Sequence, residues 1–261
     1  MSGQTIRFDD GAAYERAMGG WSRLAGAVFI DWIAPAPGLR WADIGCGNGA
    51  FTELLLTRAQ AEHVHGIDPS EGQLAFARQR PGMERATFAE GNAMVLPFGD
   101  DEFDAATMAL VIFFVPEPAR GVAEMARIVR PGGTVAAYAW DFASGGFPFN
   151  PVQSALREMG YTPPLPPSVD AGREAVMRDL WTGAGLRDVE TREIRVTRGF
   201  DDFEDFWERS TNTGAVKPVT AQLSPEKLAD LKERVRARVP IDAAGRVAYA
   251  ALANAVKGRV P

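Results

Sequence analysis

The chain contains one cysteine, Cys46, so it can form no internal disulfide. It contains two histidines, His63 and His65, and that scarcity excludes most Cys/His metal sites. Basic residues are not in excess: 28 Lys and Arg face 34 Asp and Glu, a formal charge of −6. A broad phosphate-tracking surface is therefore excluded, and no nucleic-acid partner is expected. Long apolar runs are also missing. The run Ala109–Val115 is far too short to cross a bilayer, and the stretch from Ala25 to Ile33 is broken by Asp31. The opening segment, MSGQTIRFDDGAAYERAMGG, lacks the apolar core of a signal peptide. The expectation is a cytoplasmic protein without a membrane span. No internal repeat or low-complexity tract occurs.

What is present is an ordinary globular composition, 46% hydrophobic and 24% charged over 261 residues. The first 39 residues read as an amphipathic helical lead-in, with Leu24, Val28 and Trp32 at four-residue steps, ending at Pro35-Ala36-Pro37-Gly38. Short apolar strands then alternate with helices. Strands are expected at 41–44, 63–67, 86–90, 104–110 and 134–140. Helices are expected after Gly49, after the N-cap Ser70, and over 116–130, the last stopped by Pro131-Gly132-Gly133. Such alternation predicts an α/β fold with a parallel sheet covered on both faces.

Beyond Trp140 the pattern loosens. A Gly/Pro-rich loop with a short helix near 152–159 precedes a helix from Glu174 to Thr182. Val189–Thr197 alternates out of phase, as a bulged strand would. Residues 201–240 read as a helical insert, in which Ser224-Pro225-Glu226 is a strong helix start. Residues 246–257 fit helix by their alanines and strand by their position; the expectation adopted is a last strand over 241–261.

The most informative stretch is Asp43-Ile44-Gly45-Cys46-Gly47-Asn48-Gly49. Glycines at a strand-to-helix turn let a ligand approach the backbone. Asp68 ends the second strand 25 residues after Asp43, where a carboxylate can accept two ribose hydroxyls. Together these point to a nucleoside-containing cofactor. The glycine spacing is not G-x-G-x-x-G, and Asp43 would repel a pyrophosphate, which disfavours a dinucleotide enzyme. An acid there suits an ammonium or a sulfonium.

At these residues the chain resembles the class I S-adenosylmethionine-dependent methyltransferases. WADIGCGNGAF resembles their first motif, GIDPS their ribose-binding motif, GNAMVLPFGDDEFDAA their adenine-side motif, and EMARIVRPGG their turn before the fifth strand. YERAMGGWSRLAGAVFIDW resembles a lead-in helix of small-molecule members, including quinone-modifying ones. The resemblance implies a Rossmann-like, seven-stranded, mostly parallel sheet with helices on both faces and a C-terminal helical cap insert. It implies one methyltransferase domain over 1–261: lead-in 1–39, cofactor core 40–140, acceptor region 141–200, cap 201–240 and last strand.

The cofactor implied is S-adenosyl-L-methionine, leaving S-adenosylhomocysteine as product. The resemblance assigns Gly45 and Gly47 to its methionine part and Asp43 to its ammonium. Asp68 is assigned to the ribose, Asn92 and Ala93 to the adenine edge, Gln73 to the adenine face and Leu110 to the region of the sulfonium. Asn92 stands where relatives more often have Asp, and Gln73 where they often have Met. Tyr14 and Trp21 are placed over the cofactor as aromatic faces for the sulfonium. Arg16 or Arg23 could pair with its carboxylate. Cys46 and the two histidines read as structural.

The acceptor is expected beyond the fourth and fifth strands, where Phe113, Trp140, Phe147 and Phe149 suit a small apolar or aromatic molecule. No catalytic base stands out. No N-P-P-Y-like tetrapeptide follows the fourth strand, which favours an oxygen, carbon or sulfur acceptor. The basic residues of 227–238 could face solvent, attract an acidic acceptor or form a dimer contact; monomer and homodimer both stay open. A non-catalytic cofactor-binding regulator or scaffold is the competing reading.

Overall fold

Three apolar side chains, Trp41, Ala42 and Ile44, and one buried acid, Asp43, start the sheet. Strand β1 (Arg40–Ile44) buries every residue after Arg40, because neighbours cover it on both sides. The computed structural model describes residues 15–214 and 216–261. Tyr14 lies outside them.

The remaining strands are β2 (His63–Asp68), β3 (Ala86–Glu90), β4 (Phe103–Ala109), β5 (Val129–Trp140), β6 (Arg187–Phe200) and β7 (Val247–Arg259). Their order is β3-β2-β1-β4-β5-β7-β6. Strands β1 to β5 pair in parallel, and β7 runs antiparallel to both β5 and β6. Strand order reverses at β1, between β2 and β4, which opens the crevice that ligands use in such sheets. The seven-stranded, mostly parallel architecture is the one expected.

Helices α1 (Gly20–Ile33), α2 (Ala50–Thr57), α3 (Glu71–Arg78) and α4 (Pro118–Ile128) follow, then α5 (Asn150–Glu158) and α6 (Glu174–Gly183). The buried centre of α1 is shifted from the expected stripe, of which Val28 and Trp32 pack partly buried on the core. Trp21, Ala25 and Phe29 are fully buried, whereas Leu24 is 40% exposed. The reason is aromatic packing: Trp21 meets Trp140 and Phe200, and Phe29 meets Phe51 and Tyr138. Periodicity locates a helical stripe, but the neighbouring elements choose which stripe is buried.

Strand β5 also differs from expectation. It starts at Val129, directly after α4, so Pro131-Gly132-Gly133 lie inside it and do not stop the helix. Phe103 pairs with Val129 and Ala105 already pairs with Thr134, so the intervening residues bulge out of register. Proline, lacking an N–H, and Gly132 at φ 76° fit such a break. The bulge in β6 lies earlier than the phase break in the sequence, between Arg187 and Glu190 with Asp188 at φ 50°, and pairing from Glu190 to Phe200 is unbroken.

The ambiguous last segment is a strand. It is hydrogen-bonded on both sides, with Ala251, Ala253 and Ala255 buried. β6 and β7 continue pairing beyond Trp140, out to Phe200 and Val247. Helices α7 (Phe203–Thr211), α8 (Lys217–Thr220) and α9 (Pro225–Arg236) join them at the end of the sheet where β1 enters its glycine-rich turn. Ser224 caps α9 by accepting from the Lys227 N–H. Four basic residues of this segment are ion-paired, Lys232 and Arg236 to Glu204, Arg234 to Asp230, and Arg238 just beyond α9 to Glu158, and Lys227 donates to the Tyr161 hydroxyl. Among the described residues no helix is long and apolar enough to cross a membrane.

Candidate functional site

β1 ends at Ile44, and the chain turns through Gly45, Gly47 and Gly49, all at positive φ (76°, 52° and 80°). Side chains rarely adopt that geometry, so glycine is required here. The Gly45 and Cys46 N–H groups both donate to the Ile67 carbonyl at the end of β2 (2.6 and 3.0 Å). A Cβ on Gly45 would strike Val111 at 2.5 Å, whereas one on Gly47 would enter open space, with only the Gln73 amide oxygen within 4 Å, at 3.9 Å. The turn is packed on one side and accessible on the other.

Asp68 ends β2 directly across this opening. Its two oxygens accept from the Gly47 N–H and the Ser70 N–H, each at 2.9 Å. Burial pushes its carboxyl above the ordinary range, and those two backbone bonds oppose the shift. Each oxygen retains a second lone pair for a ligand hydroxyl.

Asp43 sits beneath the turn with no exposure. Thr52, in the first turn of α2, donates to its Oδ2 at 2.7 Å. Its Oδ1 has no partner, and neither has the hydroxyl of Thr107, its register neighbour on β4. Burial pushes the Asp43 carboxyl up to about 7; the Thr52 bond pulls it down and the charge of Asp68 adds to the rise. A buried acid with one unsatisfied oxygen is costly unless something else completes it.

A methyltransferase-domain family profile matches residues 42–137 of the chain. A demethylmenaquinone methyltransferase of Clavibacter sepedonicus is 38% identical over 104 residues, covering 40% of this chain and 42% of that protein. An uncharacterized protein of Mycobacterium tuberculosis is 31% identical over 183 residues, covering 67% of this chain and 64% of its own length. The chain thus spans less than two thirds of either relative. A Haemonchus contortus phosphoethanolamine N-methyltransferase solved with S-adenosyl-L-methionine superposes with TM-score 0.59 at 18% identity, over 95% of this chain and 56% of that one; this likeness concerns the fold.

Residues 42–137 form a methyltransferase domain.

The residues present fit S-adenosylmethionine. The orphaned Asp43 oxygen fits an ammonium group, the open face of Gly47 admits a ligand against backbone, and Asp68 fits a ribose diol. Gln73 is buried in the first turn of α3, facing Gly47. Asn92 is exposed, and its Oδ1 accepts from the Met94 N–H at 2.9 Å. Leu110 follows β4 at φ 63°, strained for a side chain of its kind, with its N–H on the Tyr138 carbonyl.

Other predicted site residues are placed differently. Trp21 is wholly buried against Trp140, edge to face with centroids 6.4 Å apart. Arg23 is paired with Glu15 and is not a free cation for a cofactor carboxylate. Phe113, Phe147 and Phe149 lie in one aromatic ladder with Phe114 and Phe142, in which Phe142 and Phe147 stack at 4.5 Å. Phe113, Trp140 and Phe149 are buried, while Phe142 and Phe147 keep an exposed edge. Cys46 is buried and its thiol is pushed well up, first by burial and then by Asp43 and Asp68, which removes it from chemistry. His63 and His65 share the Thr87 hydroxyl near the opposite end of β2 from Asp68.

Thr52 was not foreseen. A threonine inside an amphipathic helix carries no signal that an acid on another element waits for its hydroxyl.

Proposed function

We propose that the protein transfers the methyl group of S-adenosylmethionine to a small organic acceptor with an apolar or aromatic body. One observation carries the reading: the unpartnered Asp43 oxygen lies under a turn whose open backbone faces the Asp68 carboxylate. When bound, the cofactor supplies an electrophilic methyl group on a sulfonium. The protein's task is then alignment and exclusion of water, which can contribute roughly 7–11 kcal/mol.

In this reading Asp43 holds the ammonium, Gly45 and Gly47 line the methionine part, and Asp68 holds the ribose. Asn92 and Ala93 border the adenine edge, Gln73 borders the Gly47 side of the site, and Leu110 borders the sulfonium. The exposed edges of Phe142 and Phe147 are offered to the acceptor, with buried Phe113 and Phe149 supporting them. The relative from Clavibacter acts, by its name, on demethylmenaquinone, and a flat apolar ring suits such aromatic edges. We read the whole chain as one methyltransferase domain, with 201–240 as its cap.

The test is calorimetric titration with S-adenosylmethionine and S-adenosylhomocysteine on wild type and Asp68→Ala. It is followed by transfer of labelled methyl into small organic acceptors. Wild type binds both ligands, and the variant loses about 2 kcal/mol, as expected for hydrogen bonds to a charged group. Binding without any labelled product in a broad metabolite extract would favour a regulator. No binding by wild type would end the reading.

A further inference from the structure

We propose that Glu15 is a positioning residue for the cofactor: its carboxylate clasps the lead-in before α1 to the glycine-rich turn, through Asn48 and Arg80, and so sets cofactor affinity. The proposal rests on the cofactor reading above and adds a residue that lies outside the glycine-rich motif.

Glu15 opens the helical turn Glu15–Gly19 that leads into α1. Its Oε2 accepts from Asn48 Nδ2 at 3.0 Å and from Arg80 Nη2 at 2.5 Å. Its Oε1 accepts from Arg23. Arg80 also donates through Nε to the Asn48 carbonyl at 2.7 Å and through Nη1 to Glu53 at 2.8 Å. The Arg80 side chain is 12% exposed and that of Glu15 23%, so these pairs are shielded far better than surface ion pairs.

The clasp closes on the residue that needs it. Asn48 stands between Gly47 and Gly49, both at positive φ. It is held at three atoms: its carbonyl by Arg80, its amide nitrogen by Glu15, and its amide oxygen by the Ala50 N–H at 3.2 Å. Gly47, next to it, presents its N–H to Asp68 and its open face to the ligand. A turn held in its bound geometry costs less to order on binding. Without Glu15, Arg80 keeps Glu53 and the Asn48 carbonyl, and the Asn48 amide nitrogen loses its link to the lead-in.

Gly19 provides a separate handle. A Cβ there would lie 2.6 Å from the Glu15 carboxyl carbon, so glycine leaves the space that the carboxylate fills. The backbone at Gly19 is helical, with φ −54°, and accepts alanine. Gly19→Ala therefore displaces the flexible end of Glu15 while keeping both its charge and the helix.

The experiment is calorimetric titration of the full chain with S-adenosylhomocysteine, with thermal melts of the ligand-free proteins. Glu15→Ala and Gly19→Ala are each expected to bind about tenfold more weakly, with melting midpoints within about 2 °C of wild type. Glu15→Gln, which keeps one acceptor, recovers part of the loss. Glu15→Ala combined with Asn48→Ala binds no more weakly than the weaker single variant, because both break one path. Binding by Glu15→Ala and Gly19→Ala within twofold of wild type overturns the proposal, as do additive losses or losses matched by equal destabilisation. Where Glu15→Ala fails to fold, Gly19→Ala decides. Failure of wild type to bind would remove the cofactor reading itself and the clasp with it.

Discussion

The Thr52 hydroxyl donates to one oxygen of the buried Asp43 carboxylate at 2.7 Å and leaves the other oxygen bare. The acid is thus oriented but only half satisfied. Asp43→Asn keeps the acceptor for Thr52 and removes the charge. Affinity for S-adenosylmethionine is expected to fall about tenfold, the difference between a charge-assisted and a neutral hydrogen bond. The ligand-free melting temperature at pH 8 is expected to hold or rise, because a buried charge is lost. Paired titration and melting check both; an unchanged affinity would remove Asp43 from the site.

The same carboxyl imposes a pH dependence. Burial, first, raises its folded value to about 7 from an ordinary 3.8; the Thr52 bond opposes this and Asp68 adds to it. A raised folded value means that the folded state holds the proton more tightly than the unfolded one. This stability contribution is complete below about 4 and is lost as pH rises through about 7. An ammonium ligand prefers the ionised acid, so affinity is expected to rise from about pH 6 to about pH 7, below the range of about 7.7–8.0 where an α-amino group titrates. Asp43→Asn flattens this rise. A wild-type affinity that is constant over that range would contradict the prediction.

Phe147 stacks on Phe142 and keeps an exposed edge. Phe147→Ala is expected to raise the KM for an aromatic acceptor about five- to tenfold, in line with an aromatic pair worth roughly 0.5–1.5 kcal/mol beyond its buried area. The dissociation constant for S-adenosylhomocysteine should stay within twofold. Equal losses of both would place Phe147 in the fold and not in the acceptor site.

Trp181 is fully buried in α6, and its indole N–H donates to the Val135 carbonyl of β5 at 2.8 Å. Trp181→Phe removes that donor and opens space. The expected loss is about 2 kcal/mol of stability. For a chain of this size that is about 4–8 °C in the melting midpoint, and cofactor affinity at 20 °C should not change.

The strands β1 to β4, the turn at Gly45–Gly49 and the distance to Asp68 were legible because their signals are local. Apolar runs, a glycine where φ is positive and a serine N-cap at Ser70 each report on their own few residues. The centre of the buried stripe of α1 was not legible, since Trp21 and Leu24 are neighbours at i,i+3 on a broadly apolar side, and packing buries the first and leaves the second 40% exposed. Nor was the start of β5, where a Pro-Gly-Gly that reads as a helix stop is a bulge inside a paired strand.

By itself, the order of residues determined the alternation of strand and helix, the glycine-rich turn and the pairing of that turn with an acid 25 positions on. Each follows from backbone sterics and short-range periodicity. Only the tertiary structure decided that Asp43 is wholly desolvated and half-satisfied, that Trp21 packs on Trp140, and that Glu15 reaches Asn48 and Arg80. These depend on which side chains from distant segments share one space, because desolvation and hydrogen bonding act through proximity and not through position along the chain.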